Sequence, residues 1–473
     1  MRLFRRCAAL ALALTLPAGL IASDRADAVT SGVSGPVTGG LFNEPQSKWA
    51  GLDAFGYVET EYFVDGVATA YGATGEWLPD GIWPAVETST AEFRTRVLVR
   101  RPTDPAKFNG TVLVEWNNVT AGFDTSPTWT ASLDEILRGG YAFVGVSAQR
   151  VGVNQMINGD PGRYSSLVHP GDAYSYDIFT QIAQHLRGAA KRVLLPGMTP
   201  EKIIAMGESQ SASRLVTYIN AVHPIERIYN GFLVFSRGSG AASIADGVVM
   251  PTRPVMRTDT PGRIINVQTE GDITVLRSHY VRQEDTGRFR LWEIAGGSHT
   301  DEHTLSPKNP PTPSVAGSPC LYRMNSARSH MVVAAAVRGL HEWTRKLASP
   351  RKAPRIELGA NVDADDPVVR DDDGNAIGGI RLPQMDVPIA TIDGLVNPAA
   401  PGAPPLFQSF CRLFGRTQPF SEAELDARYP SRIGYVIAFH DAAVAVGANR
   451  WVLPEDVQIL VWEALISGIG ADA

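Results

Sequence analysis

The stretch Glu201–Asn220, EKIIAMGESQSASRLVTYIN, decides how the rest of the sequence is interpreted. Its apolar run Ile203–Met206 predicts a short strand, and the apolar spacing after Gly207 predicts a helix. Between them lies GESQS at 207–211, which nearly matches G-x-S-x-G, the pattern of a nucleophilic serine on a sharp strand-to-helix turn. The flanking positions of this turn must be small because strand and helix backbones approach closely. Gly207 meets that requirement, and Ser211 replaces the second glycine.

Two alternatives to a nucleophilic Ser209 stand beside this interpretation. A serine before a helix is commonly only an N-cap. A second candidate turn is GVSAQ at 145–149, which also ends an apolar run around Ser147. There the last position is Gln149, which is too large for the turn, and no helical pattern follows. Ser209 is therefore the better candidate.

Composition and charge limit the kinds of partner that the protein is expected to bind. The chain has 473 residues, 44% hydrophobic and 19% charged, which is ordinary for a globular protein with a sizeable core. Its net charge is −6. Such a balance does not indicate nucleic acid or an anionic membrane surface as a partner.

The N-terminus has the three parts of a secretory signal peptide. Arginines open the chain, Cys7–Ala22 is apolar, and Ala26-Asp27-Ala28 supplies a cleavage site. No run approaches the length of a stable membrane anchor. We expect residues 1–28 to be removed near Ala28 and the protein to be secreted, either outside the cell or into the periplasm.

Two cysteines remain after the signal peptide, Cys320 and Cys411. In an oxidising compartment an even pair most simply forms one disulfide, and two buried free thiols are the alternative.

The body of the chain changes character near Gly110. Before it, Tyr57–Tyr71 predicts a hairpin turning at Asp65-Gly66, and Glu92–Arg100 predicts a third antiparallel strand. After it, strand and helix patterns alternate, which predicts an α/β fold with a mostly parallel twisted sheet and helices on both faces. The predicted strands are 111–115, 141–147, 202–206, 230–235, 263–267 and 289–294, and the predicted helices are 129–137, 176–187 and 324–347.

The composition shifts again near Ser349. We predict a catalytic domain at 29–349 and an appended hairpin and loop substructure at 350–417, with its hairpin at 368–381. Residues 418–473 are predicted to form C-terminal helices that pack on the catalytic domain, the first at 421–428, followed by 434–446 and 454–467.

A nucleophilic serine needs a base and an orienting carboxylate, and for this kind of turn both follow the serine in the chain. The carboxylate candidates are Asp272 and Glu270, in the loop after the strand 263–267. We favour Asp272 because the acid normally lies at the far end of this short loop. The base candidate is His299, which follows a strand and a glycine pair, and His303 is the fallback.

The same segment contains a competing motif. His299-Thr300-Asp301-Glu302-His303 matches H-x-x-E-H, an inverted zinc-peptidase motif. That motif needs both histidines on one face of a helix. Here the first follows Gly296-Gly297 and the second precedes a proline-rich stretch, so we predict no metal site.

An oxyanion in the reaction needs two N–H donors. We expect one from Gln210, which follows the serine. The other is expected from the loop after the strand 111–115, at Asn117 or Asn118, whose side chains are a further possible source.

With these residues in order, the chain resembles the α/β-hydrolase superfamily, and more narrowly the exported "alpha/beta hydrolase domain-containing" proteins. The stretches that carry the resemblance are VLVEWNNVT, GESQSA, QTEGDI, EIAGGSHTD, NSARSHMVVAAAVRGLHEW and FCRLFGRTQPF. The resemblance covers nearly all of the mature chain. It implies the α/β-hydrolase fold and a serine hydrolase of carboxylic esters. The branch shares the turn with serine at position 211. It also has cysteines at the positions of Cys320 and Cys411, which favours the disulfide.

The sequence thus predicts an esterase that works through Ser209, His299 and Asp272 or Glu270, with an acyl-enzyme intermediate and no cofactor. The expected substrate is a small-molecule or polymeric ester. A peptidase or acyltransferase with the same three residues is one alternative. A non-catalytic binding module on the same fold is the other.

Overall fold

The computed structural model describes residues 32–305 and 319–470. The predicted signal peptide, residues 1–28, lies outside these ranges and stays a prediction. Among the helices of the described ranges, none is long and apolar enough to cross a membrane.

A nine-stranded sheet forms the centre of the molecule. Its strands are β1 (Val33–Ser34), β2 (Tyr57–Ala73), β3 (Ala85–Pro102), β4 (Thr111–Trp116), β5 (Ala142–Val146), β6 (Lys202–Glu208), β7 (Gly231–Phe235), β8 (Arg263–Thr269) and β9 (Phe289–Ile294). The spatial order is β1-β2-β3-β5-β4-β6-β7-β8-β9. The last six strands of that order are parallel, and the first three form an antiparallel edge. The predicted mostly parallel sheet with antiparallel N-terminal strands is confirmed.

Helices cover both faces of this sheet, as predicted. The α-helices of the described ranges are α1 (Pro127–Gly139), α2 (Arg150–Gly159), α3 (Pro161–Tyr164), α4 (Ser175–Arg187), α5 (Lys191–Leu194), α6 (Gln210–Thr217), α7 (His223–Glu226), α8 (Glu270–Thr274), α9 (Glu302–Leu305), α10 (Ser329–Thr344), α11 (Pro383–Asp386), α12 (Pro405–Phe410), α13 (Glu422–Arg428), α14 (Arg432–Ala448) and α15 (Pro454–Ile466). One core cluster joins the sheet to α4 and α6. The cluster on the other face joins it to α1, α10, α14 and α15.

The predicted hairpin at Asp65-Gly66 is wrong. Tyr57–Ala73 is one continuous strand of 17 residues, and it pairs with β3 along its whole length. Gly66 serves close packing rather than a turn, because a Cβ there would lie 2.5 Å from Gln181 Oε1 and 2.7 Å from Phe93 Cε1. The chain reverses further on, between β2 and β3, where Trp77 stacks on Trp83 with ring centroids 4.9 Å apart.

The expectation that no helix follows Gln149 is also wrong, since α2 begins at Arg150. Its sequence, RVGVNQMING, contains two glycines and is a weak helix former by propensity. Gly152 is required by tertiary packing, because a Cβ there would meet the Asp124 carboxylate at 1.9 Å. Packing of this kind outweighs local propensity.

The C-terminal part extends the main body rather than standing apart from it. An antiparallel pair, β10 (Ala390–Asp393) and β11 (Arg416–Pro419), forms a second small sheet. Ile380 pairs with Ile294 at the end of β9, and Arg370 pairs with Ala376 across the predicted turn. The helix α13 begins with the predicted capping box of Ser421 and Glu424. The boundaries at 350 and 418 remain a prediction.

Candidate active site

Ser209 lies on a strained turn between β6 and α6. Its backbone has φ 55° and ψ −112°, a conformation that a residue other than glycine adopts only where its surroundings impose it. A Cβ at Gly207 would lie 3.0 Å from Leu215 Cδ1 and from the carbonyl of Ser211, so a side chain at the first position of the pattern would force Leu215 or the start of α6 to move. The turn therefore presents a half-buried Ser209 hydroxyl at the carboxyl end of the parallel strands.

Ser211, which departs from the pattern, has a structural role in the turn. Its hydroxyl donates to the Glu208 carbonyl at 2.9 Å and accepts from the Glu208 N–H at 3.0 Å. The side chain is fully buried. A serine at this position is nearly as small as glycine, and its two hydrogen bonds also tie the end of β6 to the start of α6.

His299 and Asp272 meet at Ser209. His299 Nε2 lies 2.8 Å from Ser209 Oγ, and His299 Nδ1 lies 2.6 Å from Asp272 Oδ1. Burial alone lowers the pKa of His299, but the hydrogen bond and charge of Asp272 and the charge of Glu208 raise it above its ordinary value. Such a chain of hydroxyl, imidazole and carboxylate can activate a serine as a nucleophile.

Asp272 is held in place by the first turn of α8. Its Oδ2 accepts from the Thr269 N–H at 2.7 Å, and the Asp272 N–H donates to Thr269 Oγ1 at 3.2 Å. This reciprocal capping leaves Oδ1 for the imidazole. The predicted loop is thus a short helix, and the spacing T-E-G-D from Thr269 is the sequence signal for it.

Glu270, the second carboxylate candidate, has other partners. Its side chain accepts from the Gly296 N–H at 2.8 Å and the Gly394 N–H at 3.0 Å. It also forms an ion pair with Arg370 at 2.8 Å. Glu270 therefore ties the loop before His299 to the C-terminal substructure, while Asp272 faces the imidazole.

Glu208 is a site residue that the sequence reasoning did not single out. Its Oε1 lies 3.4 Å from His299 Nε2, and its other oxygen accepts from Asn118 Nδ2 at 3.0 Å. Burial raises its pKa to about 7, against the opposing effect of the His299 charge. The signal available in the sequence was its place directly before Ser209 in GESQS.

The predicted oxyanion donors at Asn117 and Asn118 need correction. The Asn117 N–H donates to the Val146 carbonyl at 3.2 Å, and the Asn118 N–H donates to the Thr125 carbonyl at 2.9 Å. The Asn117 bond continues the pairing of β4 with β5 past the last residue of β4, and the Asn118 bond belongs to a separate bridge with Thr125, so both backbone groups are used. The Asn117 amide lies 3.4 Å from Asp124, and the Asn118 amide donates to Glu208.

Val119, the residue after Asn118, offers a different backbone N–H donor. The Val119 N–H points at the side-chain oxygen of Gln210, 3.5 Å away. Gln210 is the first residue of α6, and its own N–H donates to no group within the described ranges. The N–H of Gln210, directly after Ser209, and the N–H of Val119, which faces the Gln210 side chain, are therefore the candidate donors.

The alternative nucleophile, Ser147, and the alternative metal motif, H-x-x-E-H, both lie in surroundings that differ from those of Ser209. Ser147 is fully buried, donates to the Asp124 carboxylate and accepts from Arg96 Nε at 3.1 Å. His303, the second histidine of H-x-x-E-H, stacks on His330 with ring centroids 3.5 Å apart. In the two described ranges, no group of three or more metal-ligating side chains comes together.

The predicted cysteine pair lies close to the histidine loop. The sulfur atoms of Cys320 and Cys411 are 1.94 Å apart, which is a disulfide bond. Two residues after Cys411, the Leu413 carbonyl accepts from the Thr300 N–H at 3.1 Å. The bond therefore fixes a segment that contacts the residue after His299.

A family model described as an alpha/beta hydrolase domain matches residues 33–461. A search of curated proteins found no match. Among solved structures, the chain is similar to a fungal esterase from Rhizomucor miehei, at 11% identity over 60% of this chain and 85% of that one, with a TM-score of 0.32.

Two further similar structures were found. One is an α/β serine hydrolase without a lid from Xanthomonas campestris, at 13% identity over 48% of this chain and 83% of that one, with a TM-score of 0.27. The other is an esterase from Pyrococcus furiosus, at 8% identity over 52% and 84% of the two chains, with a TM-score of 0.26.

Proposed function

The chain belongs to the alpha/beta hydrolase domain family, and from that premise we propose that it is a secreted serine hydrolase that cleaves carboxylic esters. The observation that carries the proposal is the hydrogen-bonded chain from Ser209 Oγ through both nitrogens of His299 to Asp272 Oδ1, at 2.8 and 2.6 Å. The ester substrate class rests on the resemblance of the sequence motifs. Secretion is supported by the N-terminal pattern and by the bonded cysteines.

In the proposed mechanism, Ser209 Oγ attacks the ester carbonyl while His299 Nε2 takes the hydroxyl proton. Asp272 orients the imidazole through Nδ1 and stabilises its positive charge. The carbonyl oxygen becomes an oxyanion, which accepts from the N–H groups of Gln210 and Val119. The imidazolium then protonates the leaving alcohol, and an acyl-enzyme remains on Ser209.

Water completes the proposed reaction. His299 takes a proton from a water molecule as the water attacks the acyl carbonyl, and Ser209 leaves as a hydroxyl group. The carboxylic acid product is released. Every proton transfer in this cycle uses Nε2, and no step requires a cofactor.

The N-terminus of α6 supports the same assignment. Its free N–H groups and helix dipole lie directly after Ser209, where negative charge develops. The Gln210 side chain, whose oxygen faces the Val119 N–H in this structure, occupies part of the same region. We expect that oxygen to move aside when a substrate carbonyl enters.

A fluorophosphonate probe tests the nucleophile. We expect labelling of the wild-type protein and of Ser213→Ala, and none of Ser209→Ala. Ser213 is a matched control because it lies one turn along α6 and its hydroxyl only donates to the Gln210 carbonyl at 2.6 Å. Undiminished labelling of Ser209→Ala, or no labelling of the folded wild type, would exclude the proposal.

A panel of aryl esters with graded acyl length, run beside peptide and acyl-transfer assays, tests the substrate class. We expect hydrolysis of at least one ester by the wild type and its loss in Ser209→Ala. Turnover of peptides alone, or transfer of the acyl group to an added alcohol in preference to water, would favour the peptidase or acyltransferase alternative. A labelled protein that turns over none of these substrates would contradict the ester assignment.

A further inference from the structure

The last two helices, α14 and α15, form an antiparallel pair on the outside of the molecule. At one end the Arg432 guanidinium donates to the Leu465 carbonyl. Towards the other end, a Cβ on Gly447 would lie 2.8 Å from Val457 Cγ2. The start of α14 therefore lies beside the end of α15, and the outward sides of the two helices form one continuous surface.

The inner side of this pair is an ordinary protein core. Tyr435, Phe439, Leu460 and Ala464 are buried in the cluster that also contains residues of α1 and α10. A surface helix normally combines such an apolar side with a polar outer side.

The outer side of this pair departs from that pattern. On α14, Ile433 is 75% exposed and Ile437 55% exposed, and on α15, Trp462 and Ile466 are each 61% exposed. Val444, Ile459 and Leu465 lie on the same side and are 40–46% exposed. We call the surface made by these seven side chains the outer face. Within the described ranges, nothing covers it.

We propose that the outer face binds the outer face of a second copy of this chain, which makes the protein a two-fold symmetric homodimer. At roughly 200 Å² for a large apolar side chain, the exposed parts of the seven residues amount to about 760 Å². A standard protein interface takes about 800 Å² from each partner. One outer face is therefore nearly enough for a stable dimer, and larger than the scattered apolar exposure of a monomer.

The charges on this surface suit a second copy better than a membrane. The two helices contain a single basic residue, Arg432 at the first position of α14, whereas helices that lie on anionic membranes are rich in lysine and arginine. The titratable groups in the middle of α14 are His440 and Asp441, with side chains 53% and 74% exposed. Within each copy they already pair with each other, His440 Nδ1 lying 3.1 Å from Asp441 Oδ1, so neither brings an unpartnered polar group to a two-fold interface.

The test measures the oligomeric state of the full mature chain by sedimentation velocity across a range of concentrations. We expect a dimer for the wild type and monomers for Trp462→Glu and for Ile437→Glu, with association weakened at least tenfold. Both side chains are more than half exposed, so neither glutamate has to enter the core of the monomer. Val249→Glu is the matched control, because Val249 is 86% exposed but lies between β7 and β8, and we expect it to remain dimeric.

Three measurements can overturn this proposal. The wild type staying monomeric up to roughly 100 µM would mean that association is too weak to cover the face. A dimer that withstands both glutamate substitutions would place the interface elsewhere. Flotation of a monomeric wild type with phosphatidylcholine vesicles would assign the face to a lipid surface instead. Probe labelling of Ser209 is expected to be the same in all four proteins, so a failure here is distinct from a failure of the proposed mechanism.

Discussion

Asp272 and Glu270 lie two positions apart on α8, but their carboxylates have different partners and are expected to have different functions. Asp272→Asn keeps the shape of the side chain but removes the charge that orients His299. We expect kcat to fall by roughly 10⁴-fold, the effect of the same change in a serine protease. Unfolding should remain cooperative, because an asparagine oxygen can still cap Thr269.

Glu270→Gln is the matched comparison. The amide can still accept from the Gly296 and Gly394 N–H groups, but Arg370 loses a charged partner. We expect stability to fall by about 1–3 kcal/mol and kcat by less than tenfold. Thermal unfolding and ester kinetics on the two variants distinguish the roles. An inactive Glu270→Gln beside an active Asp272→Asn would reverse the assignment.

Glu208 is expected to set the pH dependence of the site. His299 must be neutral to act as a base, so kcat/KM should rise with pH through the pKa of His299, which lies above 6.5. Glu208→Gln removes a negative charge 3.4 Å from Nε2 and stabilises the imidazolium less. The pKa of His299 should then fall, and the acidic limb of the pH profile should move to lower pH.

The shape of that limb is a second readout. The pKa of Glu208 is raised to about 7, and its carboxylate lies 3.4 Å from His299 Nε2, so the two titrations are coupled in the wild type. With glutamine at 208 the limb should become a single step. Glu201→Gln is the control, since Glu201 precedes the opposite end of β6 and pairs with Arg345. An unmoved limb in Glu208→Gln, or one moved to higher pH, contradicts the argument.

At the scale of single residues, the sequence predicted the three side chains of the proposed catalytic chain, because their order along the chain is the one expected for this turn. Ser209, Asp272 and His299 each follow a strand of a parallel sheet, and the carboxyl ends of those strands lie at one edge. The proposed oxyanion donors could not be predicted in the same way. Asn117 and Asn118 were reasonable from spacing, but whether an N–H is free depends on how far strand pairing continues, which the sequence does not state.

At the scale of elements, the position of His299 depends on the contact between α8 and the loop after β9. The Gly271 N–H donates to the Gly297 carbonyl at 2.9 Å, and a Cβ on Gly271 would lie 2.8 Å from the backbone nitrogen of His299. Gly271→Ala must therefore push the loop away. Because a displacement of about 1 Å can cost 10²-fold in rate, we expect kcat to fall 10- to 100-fold with KM changed little.

Gly287→Ala is the control for this prediction, because a Cβ there meets nothing within 4 Å. Kinetics on both variants, with circular dichroism to show that they fold, make the comparison. Equal activity of Gly271→Ala and wild type would show that the loop does not need this close approach.

The elements themselves differ in how well the sequence predicts them. The buried parallel strands were predicted within two residues at each end, and the predicted bounds of Phe289–Ile294 match those of the structure. The error at Asp65-Gly66 arose because an aspartate-glycine pair is a turn signal only where no neighbouring strand needs the missing side chain. The helix α2 was missed because its stability comes from the packing around Asp124 rather than from its own residues.

At the scale of the whole molecule, we expect that the parts of the chain before and after the composition shift near Ser349 do not fold independently of each other. Arg138 on α1 binds Asp456 on α15 through two hydrogen bonds of 2.6 and 2.8 Å, and Ile380 pairs with Ile294 at the edge of the main sheet. One of the two large core clusters takes side chains from α10 and from α14 and α15 together. Removing residues after 349 would expose that cluster.

We therefore expect the fragment 29–349 to be insoluble, or to lack a cooperative unfolding transition, whereas the mature chain unfolds in one step. Calorimetry and limited proteolysis of the two proteins make the comparison, with fluorophosphonate labelling as the test of a formed site. Loss of labelling is expected even in soluble fragment, because Leu413 and Gly394 contact the residues around His299 and Glu270. A fragment that is monomeric, unfolds cooperatively and is labelled at Ser209 would show that the catalytic body folds alone and that the C-terminal part is an addition to it.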